Sequence, residues 1–315
     1  ASRGFDIASG LVTVLGPLAQ IVASASGSGR GGSVGISAST LSILDGAFVS
    51  VKTIGSGDAG PLNIFADQAQ IVGRGTVSSS SLAGLIPQLG VGASGPITIV
   101  SRQLLVSDVS QIEARAFGSS SGGDISIFAQ DLTILNQSGI IASTSGQGDG
   151  GTITITSKTI TLDYGGHITA QSLSLAGVPD ASIHGNAGNI KVTATDTLAL
   201  AHQSGITADT LTNGNGGAIQ VIADRIIIGS PEEVNNTMKP SGFTSTSQRP
   251  LSDASAPGGR PGVVDVRARE ITLQPGTISV STDTTSQGGS VFVNADTLSI
   301  VGMGGIDSST LGKGN

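Results

Sequence analysis

The residues that could do chemistry are few and widely spaced. Asp67, Asp131, Asp196, Asp224 and Asp296 recur in or near a corner of the type Ala-Asp-x-Leu. Two carboxylates held at a fixed separation could cleave a glycosidic bond as acid and base, or as acid and nucleophile. These five are distributed one per segment, and Asp favours turns because its side chain bonds its own backbone. A turn role is therefore the expectation. The histidines are His167, His184 and His202. Asp163 and His167 could meet across a turn, but the spacing fits no zinc pattern, and surface positions are expected for all three. Serine is abundant enough to complete a Ser–His–Asp set, yet no Gly-x-Ser-x-Gly elbow occurs. No catalytic residue is assigned.

Ligand-binding patterns are equally sparse. The stretch "GQGDGG" at 146–151 has the Gly and Asp of calcium-binding β-rolls but not their tandem nonapeptide. Thr152, Thr154 and Thr156 would form one rung of a flat threonine array, but neighbouring segments place Ser, Asp, Asn, Lys or Gln there. No Walker A loop is present, and the glycine-rich segments precede strands rather than helices, so a phosphate cradle lacks its helix terminus. No metal and no cofactor is expected. Cysteine is absent, which removes disulfides, thiolate metal sites and thiol nucleophiles together. The net charge of −7 and pI near 4.8 argue against nucleic acid, which requires a basic face. The 15 Lys and Arg are scattered singly, so no polybasic membrane patch forms. No apolar run approaches the ~20 residues of a membrane-crossing helix.

What remains is the scaffold that would position any of these groups. Glycine occupies 48 of 315 positions, aromatic residues make up 3% and charged residues 12%. Mean hydropathy is +0.23, and Ile, Val and Leu are regularly placed, which disordered chains do not show. Glycine does not fall at every third position, which excludes collagen. The regularity is a repeat. Its first piece is Gly-x-apolar-x-apolar-x-small, at 32–38 (GSVGISA), 60–66 (GPLNIFA), 95–101 (GPITIVS), 123–129 (GDISIFA), 151–157 (GTITITS), 188–194 (GNIKVTA), 217–223 (GAIQVIA), 262–268 (GVVDVRA) and 289–295 (GSVFVNA). An apolar pair follows, such as Leu41/Ile43, Leu132/Ile134 or Ile271/Leu273, and then a third alternating piece such as "GIIAS" at Gly139 or "GHITA" at Gly166. A Gly/Ser/Asn-rich bridge leads to the next copy, and the first ~30 residues read as a degenerate copy, within a period of about 28 residues.

Apolar residues alternate inside each piece, which is strand periodicity, and β-branched residues suit a pleated surface. The expectation is three short strands per repeat. A single unit cannot bury its apolar face, so copies must stack, each strand pairing in parallel with its counterpart one turn away. Residues 1–315 thus read as a single all-β domain, a parallel β-helix of three sheets. About nine to ten turns at ~4.8 Å give a rod roughly 45 Å long. The glycines before each first strand are expected at tight corners with positive φ.

Segments such as "GSGDAGPLNIFADQAQIV", "GQGDGGTITITSKTITLDYGGHITAQS" and "GNAGNIKVTATDTLALAHQSGITA" resemble the repeat region of filamentous-haemagglutinin-like two-partner-secretion exoproteins of the cyanobacterial type. The resemblance covers nearly the whole chain. It implies a right-handed coil, an extracellular or outer-cell-surface location, and an adhesive or filamentous role. The family's N-terminal secretion domain, with its Asn-Pro-Asn-Gly-type motif, is not visible. The N-terminus "ASRGFDIASG" lacks the form of a signal peptide, and the final "GMGGIDSSTLGKGN" lacks a polar cap. A continuing native chain or end-to-end self-association is expected.

Four insertions interrupt the repeat: 81–93, 173–187 with Asp180 and His184, 229–241 with Glu232, Glu233 and Lys239, and 248–260 with Arg249 and Arg260. Solenoids often carry binding loops in such places. The sequence as a whole reads as a non-enzymatic structural or adhesive rod. Its expected partners are surface glycans or proteins of host or neighbouring cells, or extracellular matrix. The alternative is a β-helix polysaccharide lyase or glycoside hydrolase, which three or more charged side chains converging in a groove would favour.

Overall fold

The computed structural model describes residues 4–82, 92–173, 185–230, 240–248, 258–283 and 286–310. Of the insertions, 83–91, 174–184, 231–239 and 249–257 lie outside the described residues, and with them Asp180, His184, Glu232, Glu233, Lys239 and Arg249.

Strands of two lengths alternate along the chain. The long ones are β1 (Phe5–Leu15), β3 (Val34–Leu44), β5 (Leu62–Val72), β7 (Ile97–Ser107), β9 (Ile125–Leu135), β11 (Ile153–Asp163), β13 (Ile190–Leu200), β15 (Ile219–Ile228), β17 (Val263–Leu273) and β19 (Ser290–Ile300). The shorter ones are β2 (Gln20–Ala25), β4 (Phe48–Thr53), β6 (Thr76–Ser81), β8 (Gln111–Gly118), β10 (Gly139–Gly146), β12 (His167–Leu173), β14 (Gly205–Thr207), β16 (Ser241–Ser247), β18 (Gly276–Thr282) and β20 (Gly305–Thr310). All odd-numbered strands form one ten-stranded sheet in chain order, and all even-numbered strands form a second. Every pairing is parallel, as in β1 with β3 and β2 with β4. No helix occurs among the described residues. The arrangement is consistent with a parallel β-solenoid built from coils of two strands.

Among the described residues the expected third sheet is absent, and the reason lies in the middle of each long strand. In β5 the buried residues are Leu62, Ile64 and Ala66, then Ala69 and Ile71, with Asp67 and Gln68 both facing outward. Alternation changes phase across that outward pair. The ladder to β7 misses only one step, between Ala66↔Ser101 and Gln68↔Gln103. The wall bends there without ending the strand, so the first two alternating pieces belong to one sheet. The aspartates expected in turns therefore sit within strands at this bend: Asp67, Asp131, Asp196, Asp224 and Asp296 lie in β5, β9, β13, β15 and β19.

Repetition at one coil per rung puts like residues on top of each other. One core column of the second sheet runs Val49, Val77, Ile112, Ile140, Ile168, Ile206, Phe243 and Ile278, each paired with the next and none measurably exposed. Four residues further along these strands the interior is polar in every coil but one, where Ala116 stands. Thr53, Ser81, Ala116, Thr144, Ser172, Thr210, Ser247 and Thr282 form a buried column. Its hydroxyls serve the loops between short and long strands: Thr53 Oγ1 donates to Gly57 O at 2.7 Å and Ser247 Oγ to Gly259 O at 2.8 Å in the loop that follows each, and Thr144 Oγ1 to Ser120 O at 3.2 Å in the loop one coil before. Turning the chain inside a packed rod leaves carbonyls away from water, and these hydroxyls satisfy them.

The repeat glycines before the long strands have a steric role. Positive φ among the described residues falls mostly at the other corner, as at Gly46 (φ 81) and Gly73 (φ 67), between a long strand and the next short one; Gly118 (φ 86) and Gly146 (φ 137), which end β8 and β10, are the exceptions. Gly60, Gly95, Gly123, Gly151, Gly188, Gly217, Gly262 and Gly289 form a column in which a Cβ on each of the last seven would collide with the carbonyl oxygen of the glycine one coil before. Backbone approaches backbone there too closely for any side chain. Beside this column the side chains interlock: Asp149 Oδ1 accepts from Asn186 N at 2.8 Å, Asn186 Oδ1 from Asn215 N at 2.8 Å, and Asn215 Oδ1 from Arg260 N at 2.9 Å.

Two substitutions test the steric reading. Gly151→Ala drives a methyl against the Gly123 carbonyl and should cost about 1–3 kcal/mol, the range for overpacking. Gly10→Ala meets nothing within 4 Å and should stay within about 0.5 kcal/mol of the parent. Urea unfolding of both variants reads the difference; equal midpoints would remove the steric column as a constraint.

Candidate functional site

The corner where each long strand passes into the next short strand carries the densest chemistry. In six successive coils it is a pair of residues with left-handed backbone: Asp45/Gly46, Gly73/Arg74, Asp108/Val109, Asn136/Gln137, Tyr164/Gly165 and His202/Gln203. A bend this tight needs positive φ, for which Gly, Asn and Asp are suited. The corners are linked axially through the second residue of each pair. Gly46 N–H donates to Gly73 O, Arg74 to Asp108 O, Val109 to Asn136 O, Gln137 to Tyr164 O and Gly165 to His202 O, all at 2.8–2.9 Å. Gln203 ends the series: among the described residues its N–H finds no acceptor.

Three consecutive coils bring Asp163, His202 and Ser230 together at this corner. Asp163 ends β11, His202 follows β13, and Ser230 follows β15. His202 Nδ1 lies 2.6 Å from Asp163 Oδ1, which also accepts the Tyr164 N–H at 2.9 Å. Ser230 Oγ lies 3.4 Å from His202 Nε2. The Tyr164 ring stacks on the His202 ring at 4.4 Å, with 2° between their planes. Both members of the Asp163–His202 pair are about one quarter exposed, 26% each. A carboxylate oxygen accepts, so Asp163 Oδ1 is placed to accept a hydrogen carried at Nδ1 of His202. The expected partner of Asp163 was His167; the pairing is instead with His202, one coil further on.

His167 occupies the next position along the same corner. Its ring covers Gly139, where any Cβ would collide with Nε2, and its Nδ1 lies 3.2 Å from Gly165 O. Burial holds its pKa below the ordinary value of 6.5; the bond to the Gly165 carbonyl works against that shift, and the positive charge of Arg115 adds to it. A cleft of about 240 Å³ opens beside it, lined among others by Gly165, His167, Gln203, Ser204, Gly205 and Pro240. Ser204 Oγ is buried and has no hydrogen-bond partner among the described residues.

The other candidates are dispersed or neutralised. Asp131 Oδ1 accepts from Thr159 Oγ1 at 2.6 Å. A hollow of about 350 Å³ beside it is lined mainly by Gln68, Gln70, Gln103 and leucines, with Asp131 as its single carboxylate. Three acids and three bases do gather on the outer face of β15 and β17, but each acid holds a base: Arg269 with Asp224 at 2.9 Å, Arg225 with Glu270 at 3.1 Å and Arg267 with Asp265 at 2.8 Å. The hydrogen bond from Arg269 lowers the pKa of Asp224, and the same bond raises that of Arg269. Exposed pairs of this kind contribute little, and a carboxylate so held is a poor proton donor. Thr154 has Ser126 and Lys191 as its rung neighbours, and Thr156 has Phe128 and Thr193, so the threonine row does not extend. Among the described residues no group of three or more His, Cys, Asp or Glu is placed to hold a metal.

Sequence reading missed Ser230, Gln203 and Tyr164. The signal that would have found Ser230 is the coil register: aligning the ends of β11, β13 and β15 places 163, 202 and 230 at one corner. No protein-family model, curated protein or solved structure matches the chain.

The lowered pKa of His167 has a pH consequence. The neutral ring is favoured in the fold, so its contribution is complete above the unfolded-state value near 6.5. It is lost as the pH falls from there through the lower folded-state value, because the unfolded chain then binds the extra proton. Urea midpoints should therefore rise between pH 5 and pH 7, by less in His167→Gln; equal slopes would remove His167 as a source.

Proposed function

We propose that the chain is a segment of an extracellular structural or adhesive rod, similar to the repeat region of filamentous-haemagglutinin-like exoproteins. The coil is right-handed in this reading, with about ten turns. The observation that carries it is the uninterrupted stacking of two ten-stranded sheets on one core, with polar, glycine and apolar columns each continued from coil to coil. Nearly every repeated residue has a packing or pairing role in that stack. A polysaccharide-cleaving groove needs two free carboxylates facing one another, whereas the acids of the charged face on β15 and β17 are paired with arginines.

In this reading the rod works as a stiff spacer. A ladder of parallel strands resists axial bending because each rung is hydrogen-bonded to both neighbours. The insertions, displayed on that spacer, contact surface glycans, proteins or matrix, and copies associate end to end or continue in a longer chain. Three of the insertions follow a short strand, β6, β12 or β16, and the fourth follows the long strand β15.

Negative-stain electron microscopy of the natural material tests the rod directly. Long fibres one coil wide are expected. Short isolated particles would sink the filament reading, and polysaccharide cleavage would then be the first activity to assay.

A further inference from the structure

We propose that the outer face of β5, β7 and β9 is a docking surface for an uncharged, extended glycan, whose sugar rings stack on Phe65, Val100 and Phe128. This deepens the adhesive reading by naming a ligand class and a site on the rod itself, and it rests on that reading for the presence of glycans. The three side chains occupy one outward column on successive coils, Phe65↔Val100↔Phe128. They are 48%, 38% and 45% exposed. A single exposed apolar residue needs no explanation, whereas a contiguous patch marks a contact surface. The apolar run is bounded at both ends, by Ser37 before Phe65 and by Thr156 and Thr193 after Phe128.

Its shape selects the partner. The column is one residue wide. Asn63, Thr98 and Ser126 flank it on one side, and Gln68, Gln103 and Asp131 follow at the bend on the other. Three rungs at ~4.8 Å make it about 10 Å long. A protein partner of standard size covers roughly 800 Å² around an apolar centre, far more than this strip offers. A sugar chain is a ribbon with matching alternation: C–H faces that stack on apolar groups, and hydroxyl edges that hydrogen-bond. Laid along the rod, a cellulose-type chain presents the same ring face at every second sugar, and Phe65 and Phe128 stand two rungs apart.

The polar flank suits hydroxyls. Gln68 Nε2 donates to Gln103 Oε1 at 3.4 Å, which leaves the Gln68 carbonyl as an acceptor and the Gln103 amide nitrogen as a donor. A hollow of about 380 Å³ runs along the column, lined among others by Ser37, Phe65, Asp67, Val100 and Arg102. It has the size of a small-molecule site, as does the 350 Å³ hollow at Gln68 and Gln103. The charged residues of the three strands are Asp67, Arg102 and Asp131. Two acids against one base repel a sulfated or uronate chain, so the complementary ligand carries no charge.

The test titrates cellohexaose into the full chain by isothermal calorimetry. Saturable binding is expected, weakened about tenfold by Phe65→Ala or Phe128→Ala, the upper range for one aromatic contact. Phe128→Trp should retain it. Ile222→Ala, an exposed residue of the same column three coils beyond Phe128, should bind as the parent does. Circular dichroism shows that each variant is folded. No saturable binding by the folded parent, affinity unchanged in both phenylalanine variants, an equal loss in Ile222→Ala, or tighter binding of dextran sulfate than of cellohexaose would each overturn the proposal. Attachment to a glycan-free protein surface that both phenylalanine variants abolish would assign the column to a protein and overturn it as well. Fibre morphology is read separately: fibres that bind no cellohexaose sink this site and leave the rod, and isolated particles that bind it sink the filament and leave the site.

Discussion

Everything in this molecule follows from one constraint: each residue of a coil must pair with its counterpart one coil away. Parallel strands separated by a whole coil satisfy their backbone groups only if the register holds along the entire rod. Registers such as Val49↔Val77 and Ile140↔Ile168 hold it. Once that is fixed, composition at each rung position is fixed as well. A glycine whose carbonyl is overlaid by the next glycine cannot become alanine, and a buried hydroxyl that caps a loop carbonyl must recur where that loop recurs. The low charge and high glycine content are consequences of stacking, not signs of disorder.

The fold was legible because a solenoid is nearly one-dimensional. Alternation gave the strands, and the spacing of "GTITITS" from "GDISIFA" gave the pairing distance. The limits of that legibility are also physical. A phase change in alternation looks the same in sequence whether the chain turns a corner or bends within a strand, so Asp67-Gln68 suggested a break that backbone pairing bridges. Glycine is equally diagnostic of positive φ and of close backbone approach, and only the neighbouring coil decides between them. Serine and threonine at the end of the short strands carry no mark of burial in the sequence. Their burial follows from the loop carbonyls they serve, which alternation alone does not reveal.

The corner cluster was less legible than the core. Core positions are constrained by contacts that repeat identically, whereas a corner residue needs only a backbone conformation that several types can supply. Asp, Gly, Asn, Tyr and His all stand at the first position of the left-handed pair. Within that latitude a carboxylate, an imidazole and a hydroxyl came to lie on adjacent coils. Insertions also alter the spacing, so Asp163 and His202 are 39 residues apart while His202 and Ser230 are 28 apart, and no fixed-interval motif could expose the set.

Strict repetition and chemistry are in tension in such a rod. Wherever one coil copies the last, each corner donor is matched by the acceptor above it, as at Gly46, Arg74, Val109, Gln137 and Gly165. A fully matched donor has nothing left for a ligand. A group able to polarise a substrate can therefore arise only where the copy fails, and at this corner it fails after His202-Gln203, where the next coil departs into the 229–241 segment. The same departure that ends the N–H series places Ser230 against the imidazole. The interruption of the repeat thus leaves a serine hydroxyl beside the imidazole and, among the described residues, a corner N–H without an axial acceptor.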